Sequence, residues 1–490
     1  MLLADTPLDP RSLVRRIWQP SNLPDYRLFV RLQTSAALMF DRFDDPTATH
    51  SRAARRGFQR LCDNPRVDDE LLARRARERT LQGLHGLEVL VLAHDTTEVD
   101  KVGPSEPDDA GPLRSNSSRG YLVHSCAAVD PAHHALLGVV DTFAWTRSWN
   151  LRGQNHKSRA PHQKESIKWR RGIRRVALAL QAAGIGGTVV HALDREGDVY
   201  ENFTFARRHG HLVVVRAAQD RRIAESEEHL WAYLGGREAV HSFEHEVRTE
   251  VSAAALAAAK RKGTKAVEAL RARVAKLPAR RTATVQLRYA TVTLLPPERR
   301  KGRPKPVALV AISVREDDAP AAVEPIDWVL LTTCAVGSVA EALRVMGFYE
   351  DRYLIEPVHR IWKSALRLES EPIADLASFR RQLAIVMPLA SHIAQWTYAS
   401  RVTPNAPASA HVSGEVLAGL KEACRYHELP LPRRAWTIKD VVTKLACLGG
   451  YEVRPDRRPG WIVIWRGWRK LRRFMDLFDY AQTRRKQVPR

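Results

Sequence analysis

Short apolar runs, each long enough for one buried strand, alternate with helical periods from Glu88 to Arg216, and their order restricts the fold more than any other feature. The first, Glu88-Val89-Leu90-Val91-Leu92-Ala93, stops at His94-Asp95-Thr96-Thr97. A brief run without polar alternation is read as a strand covered on both faces. Gly120 to Ser125 and Ala135 to Trp145 follow, and the glycine-containing breaks between them predict an antiparallel meander. Lys164 to Ala183 places Ile167, Val176, Leu178 and Leu180 at helical positions and ends at Gly184, Gly186 and Gly187. Thr188 to Leu193 returns to strand and ends on Asp194; a turn and a helix with Tyr200, Phe203 and Phe205 lead to a fifth strand, His211 to Arg216. Asp95 and Asp194 are thus each expected at the carboxyl end of a strand, where open α/β sheets present chemistry. An aspartate there can equally open an Asx turn or cap a helix.

Strand, strand, strand, helix, strand, helix, strand is the element order of a ribonuclease H-like domain, so the expected class is α/β with a mixed sheet. The closing helix does not come next. A long insertion, about 217–327, intervenes, with an Ala-rich basic helix expected from Ala253 to Lys276 and strands at Thr282–Leu287 and Val307–Ile312. Its loop Arg299 to Lys305, which includes Arg300 and Lys301, is cationic without apolar content. Such a loop suits phosphate contact or simply a solvated surface. Trp328 to Thr333 is strand-like again, Val339 to Met346 is helical, and the chain arrives at YEDRYLIEPVHRIWK. Tyr349, Arg352, Glu356 and Lys363 recur there at spacings that share one face of an α-helix. Arg352 and Glu356 alone would make an ordinary i,i+4 ion pair. Pro357 disturbs the pattern: either the helix kinks, or a new helix begins with the proline in its first turn.

Three domains are expected: a helical unit over 1–85, a catalytic unit over 86–372 and a mostly helical unit over 373–490. The first is arginine-rich, at Arg52, Arg55, Arg56 and Arg60 and again at Arg74, Arg75, Arg77 and Arg79, which suits DNA or plain solvation. In the last, Val402 to Ser413 reads as a linker. The terminal stripe Trp465, Trp468, Leu471, Phe474, Met475 and Phe478 would pack on its own domain or on a second copy. The formal net charge of +23 points to a polyanionic partner, nucleic acid first. No apolar run reaches the length of a membrane span, and the opening MLLADTPLDP does not read as a signal peptide. The five cysteines are scattered without metal spacing, which fits a reducing cytoplasm.

Carboxylates without a cysteine or histidine cluster suit hard divalent ions, and two such ions about 3.5–4 Å apart serve phosphodiester displacement. Asp95, Asp194 and Glu356 are the candidates for catalysis and metal binding. Arg352, Lys363 and Arg216 would grip phosphates. Trp328 would either stack an extruded base or fill a sheet core.

Together, Asp95-Thr96-Thr97, Asp194-Arg195-Glu196 and Tyr349/Arg352/Glu356/Lys363 resemble the bacterial DDE transposases of the IS-four insertion-sequence family. The resemblance extends to Asn64-Pro65, Gly120–His124, Lys164-Glu165, Lys168-Trp169, Trp328–Thr332, Leu448-Gly449-Gly450 and Trp465–Trp468. It implies a ribonuclease H-like core with a β-rich insertion, an amino-terminal end-binding domain and a carboxyl-terminal dimerising domain. The implied activity is magnesium-dependent cut-and-paste transposition, with manganese as a substitute metal and a hairpin intermediate at the excised end. The implied partners are terminal inverted repeats, target DNA and a second copy in the bacterial cytoplasm at the nucleoid. Trp328 matches the family's base-stacking tryptophan; Tyr349, Arg352, Lys363, Arg216, Arg360, Arg300 and Lys301 would contact DNA. The rival readings are a ribonuclease H-like nuclease that cuts without joining and an inactive DNA-binding relative.

Overall fold

A computed structural model describes residues 10–41, 52–101, 106–114, 118–151, 164–278, 280–297, 305–366, 368–454 and 458–487. Arg300 and Lys301 lie outside them. The chain is mixed α/β with helices toward both ends. It divides into two compact units, the first made of Met1–Thr188 with Asp351–Arg490 and the second of Val189–Glu350.

The first unit opens with α1 (Pro10–Ile17), α2 (Tyr26–Asp41), α3 (Arg52–Cys62) and α4 (Asp69–Gln82). Asp68 starts α4 by accepting from the Leu71 N–H at 3.0 Å, and Asp69 and Glu70 place negative charge at its positive end. Then come β1 (Val89–Asp100), β2 (Gly111–Pro112), β3 (Arg119–Asp130), β4 (Ala135–Trp145) and α5 (Ile167–Ala182). β1 pairs antiparallel with β3, and β3 pairs antiparallel with β4 and β2, so the expected meander is present.

β1 is longer than its apolar run. It continues through Thr96, Thr97 and Val99 to Asp100, because these β-formers extend the ladder on β3. Asp95 is therefore not at the carboxyl end of a strand; it sits inside one, opposite Ser125.

The second unit runs β5 (Thr188–Leu193), α6 (Tyr200–Arg208), β6 (Leu212–Arg216), β7 (Arg222–Ile223), β8 (Ser226–His229), α7 (Leu230–Gly235), β9 (His241–Arg248), α8 (Ala253–Lys262), α9 (Thr264–Ala275), β10 (Arg280–Leu294), β11 (Val307–Glu316), β12 (Asp327–Thr332) and α10 (Val339–Asp351). Its sheet is mixed: β5 and β6 are parallel, β6, β12, β11 and β10 follow antiparallel, and β9 and β7 share the far side of β10. The single Ala-rich helix expected from Ala253 to Lys276 is two, because Gly263 at φ 103° takes a conformation that helical residues cannot hold.

The first unit resumes with α11 (Ile355–Arg360), α12 (Leu376–Val402), α13 (Gly414–Tyr426), α14 (Ile438–Leu448) and α15 (Trp461–Gln487). The segment expected as a linker is folded: α12 reaches Val402, and Pro407 bridges to Thr437. Four residues of the terminal stripe pack inward, and the Phe478 side chain lies outside the described ones. Trp465, Trp468, Leu471 and Met475 are buried, the Trp465 indole N–H donates to the Ile393 carbonyl at 3.2 Å, and its ring meets Phe40 edge-on. α14 and α15 cross so closely that a Cβ built on Gly467 would stand 1.6 Å from the Leu445 carbonyl oxygen. Gly467→Ala must push the helices apart and is expected to cost about 1–3 kcal/mol, as core overpacking does, read as a lowered urea midpoint at unchanged m-value.

Among the described residues no helix is long and apolar enough to cross a membrane.

Candidate active site

In the first unit, Asp95 is half-buried on β1. Its Oδ2 lies 3.2 Å from Nδ1 of His359 on α11. Burial pushes the Asp95 carboxyl up. The hydrogen bond and charge of His359, the charge of Arg352 and the Thr96 N–H outweigh that and hold it below the usual carboxylate range. Arg352 also reaches Glu356, with Nη2 3.5 Å from Oε1. One guanidinium thus acts on both carboxylates, and the ring of His359 holds one of them.

The stretch from Tyr349 to Lys363 is not one regular helix. α10 ends at Asp351, Arg352–Leu354 is a 3₁₀ turn, α11 begins at Ile355, and Ile361–Ala365 is a π turn. Pro357 is the third residue of α11, where its missing N–H removes no helical bond. Of the two outcomes expected for the proline, a new helix is the one that occurs. The π turn carries Lys363 against β1: its Nζ donates to the Glu98 carbonyl at 2.5 Å and the Thr97 hydroxyl at 3.2 Å, and lies 3.1 Å from Glu369. Arg360, at the end of α11, is exposed.

Two supports of Asp95 escape sequence reasoning. On the strand beside it, the Thr96 hydroxyl is 2.9 Å from Nδ1 of His124, whose Nε2 is 3.1 Å from Nδ1 of His94, with the Cys126 thiol 3.4 Å from the other His94 nitrogen. Burial pushes His94 down to about 3 and His124 well below its ordinary value, so both rings are neutral and serve as hydrogen-bonding core. At the end of β1, buried Lys101 donates to the carbonyls of Leu368 at 2.5 Å and Glu371 at 2.9 Å, and burial lowers it to about 8. Lys101 and Lys363 together fasten the segment after α11 to the strand that carries Asp95. The only sequence signal for His359 is its place three residues after Glu356, one helical turn on.

In the second unit, Asp194 directly follows β5, as expected. Its carboxylate accepts from the Glu196 N–H at 2.8 Å and the Gly197 N–H at 3.2 Å and caps a 3₁₀ turn. Four residues on, buried Asp198 binds Arg221 at 2.5 Å and the N–H groups of Ala218 and Gln219. Trp328 is half-buried rather than a core tryptophan. Its ring meets Tyr349 at 5.7 Å and His245 at 6.2 Å, both edge-on. His245 in turn lies 2.8 Å from Glu350. Arg216 donates to the Asp327 carbonyl at 3.0 Å. Burial lowers its pKa, Tyr349 counters that, and Arg195 adds like charge.

Among the described residues, no group of three or more histidine, cysteine, aspartate and glutamate side chains could hold a metal ion. No protein-family model matches the chain.

Proposed function

We propose that the chain is a DNA transposase that cuts transposon ends and joins them to target DNA. The reading assigns catalysis to Asp95, Asp194 and Glu356 on a ribonuclease H-like core. The observation that supports it most is the pairing inside the first unit: Asp95, kept ionised, and Glu356 share Arg352. Two carboxylates served by one guanidinium offer oxygen ligands for a metal and a grip for a phosphate, which phosphoryl chemistry uses. Asp194 enters on its position after β5 and on the sequence resemblance.

The donors fit magnesium in kind, being carboxylate oxygens of which Asp95 is ionised. Three such donors are not gathered into one group among the described residues; on this reading Asp95, Asp194 and Glu356 would supply the ligands, with manganese as a substitute, and an ion held by them would activate the attacking oxygen and stabilise the leaving one. The chain's own cations orient the DNA. Arg352 is placed to turn from Glu356 to a phosphate oxygen, and exposed Arg360 offers a further contact. Lys363 becomes a phosphate ligand only after releasing Glu98 and Glu369. In the second unit the half-buried Trp328 ring, propped by Tyr349 and His245, suits stacking on an unpaired base, and Arg216 suits the adjoining phosphate. Arg300 and Lys301 are proposed DNA contacts on charge alone. The partners on this reading are terminal repeats, target DNA and a second copy, in the cytoplasm.

Asp194→Asn tests the assignment. The variant should still shift DNA that carries the terminal sequences flanking the coding region, and should cut it in magnesium at least about 100-fold more slowly, the scale on which single electrostatic groups act. Undiminished cutting would remove Asp194 from the site.

A further inference from the structure

A cavity of about 480 Å³ opens in the first unit among α1, α4, β4, α5 and α12, and neither Asp95, Arg352 nor Glu356 lines it. Leu137, Val139 and Val140 of β4 and Leu383 and Met387 of α12 give it an apolar wall. Its charge is unbalanced: six arginines and three carboxylates line it. Two of the carboxylates are already shared. Asp141 accepts from Arg175 at 2.9 Å and Arg77 at 3.1 Å, and Glu70 lies 3.3 Å and 3.6 Å from the same two guanidiniums. Of the other four arginines, Arg16, Arg79, Arg171 and Arg380, Arg171 and Arg380 stand beside the β4 wall. Arg171 lies 4.4 Å over the Phe143 ring and meets no hydrogen-bond acceptor among the described residues. Among the described residues Arg380 donates to the Ala144 carbonyl alone. Partial burial and the nearby charges of Arg175 and Arg380 lower the pKa of Arg171, and Asp141 and Glu70 counter them only in part.

Arg171 and Arg380 are exposed, and six guanidiniums against three carboxylates give the cavity a positive potential that attracts an anion. We propose that this cavity binds a phosphate monoester with a planar apolar body of mononucleotide size, its phosphate on Arg171 and Arg380 and its body against the β4–α12 wall. A monoester carries about −1.5 to −2 at neutral pH, which matches two guanidiniums better than a single carboxylate does, and their forked donors suit its oxygens. The volume falls within the range of about 300–1,000 Å³ usual for small-ligand sites. The phosphate could belong to a free nucleotide or to the 5′ end of a DNA strand, and the site chemistry is the same. The proposal stands apart from the transposase reading, because no residue assigned to catalysis takes part.

Calorimetric titration of the full chain tests it, with thymidine monophosphate, thymidine, inorganic phosphate and a 5′-phosphorylated oligonucleotide as probes. Thymidine monophosphate should bind at least tenfold more tightly than thymidine or phosphate. Arg171→Gln should weaken it at least tenfold; the folded state loses its contact with the Phe143 ring, so the thermal transition should move by no more than a few degrees. Ala76→Phe, which fills the cavity and leaves every arginine, should weaken it as much. If the oligonucleotide binds more tightly than the nucleotide and shares its dependence on Arg171, the source is a DNA end; the reverse order assigns a free nucleotide. Thymidine monophosphate binding no better than phosphate, or binding indifferent to Ala76→Phe, overturns the proposal.

Discussion

Asp95→Asn should lower cleavage of terminal DNA in magnesium by about a thousandfold, the upper end of what loss of one electrostatic group costs, and leave DNA binding within about twofold. Asparagine keeps the size of the side chain and one acceptor for His359, so the strand and its ladder on β3 persist. What disappears is the negative charge that His359 and Arg352 hold in place. The stability consequence has a definite sign. The folded pKa of Asp95 lies below its unfolded value of about 3.9, so its ionised form stabilises the fold above that pH. This contribution is lost as pH falls through the folded value. The variant should be somewhat less stable than the parent at neutral pH, and the gap should begin to narrow below about pH 4. Denaturant titrations at pH 7 and pH 3.5 measure that separately from cleavage rates. A variant that is folded, binds DNA and cuts at the parent rate would take Asp95 out of the chemistry.

Arg221→Leu is expected to have the largest effect on stability. Asp198 is fully buried, and its two oxygens are divided between Arg221 and the N–H groups of Ala218 and Gln219. Leucine would leave a buried carboxylate without its counter-charge, which costs about 3–5 kcal/mol. The double variant Asp198→Asn with Arg221→Leu should recover part of the loss, because an amide is cheaper to bury than an unpaired charge. The effect should extend to function, since the turn capped by Asp194 sits between β5 and Asp198. Urea midpoints of Arg221→Leu, of Asp198→Asn alone and of the double variant, compared with the parent as a double-mutant cycle, give the coupling between the two side chains.

How much was legible in the sequence follows from which forces acted locally. β5, β6, β11 and β12 were visible because apolar runs of strand length are covered wherever the chain puts them. Asp194 was visible because it begins a turn directly after such a run. The length of β1 was not, since Thr96 to Asp100 are strand only through pairing with β3. Composition could not separate a polar loop from a half-exposed strand. Helical spacing brought Arg352 and Glu356 together correctly. It did not foresee the 3₁₀ and π turns around α11, through which Lys363 reaches β1. His359 was missed because its role depends on the packing of α11 on β1, a contact between residues far apart in sequence. The terminal aromatic stripe was legible as apolar surface; that Trp465 packs against Phe40 and Ile393 was not.

The most direct test of the account is strand transfer with a precut end. A duplex that carries the element's terminal sequence and ends in a free 3′-hydroxyl is incubated with the protein, magnesium and supercoiled plasmid. The account predicts covalently joined product that depends on magnesium and is absent with Asp95→Asn and Asp194→Asn. Cutting without any joined product, or joining that survives loss of either carboxylate, would contradict it.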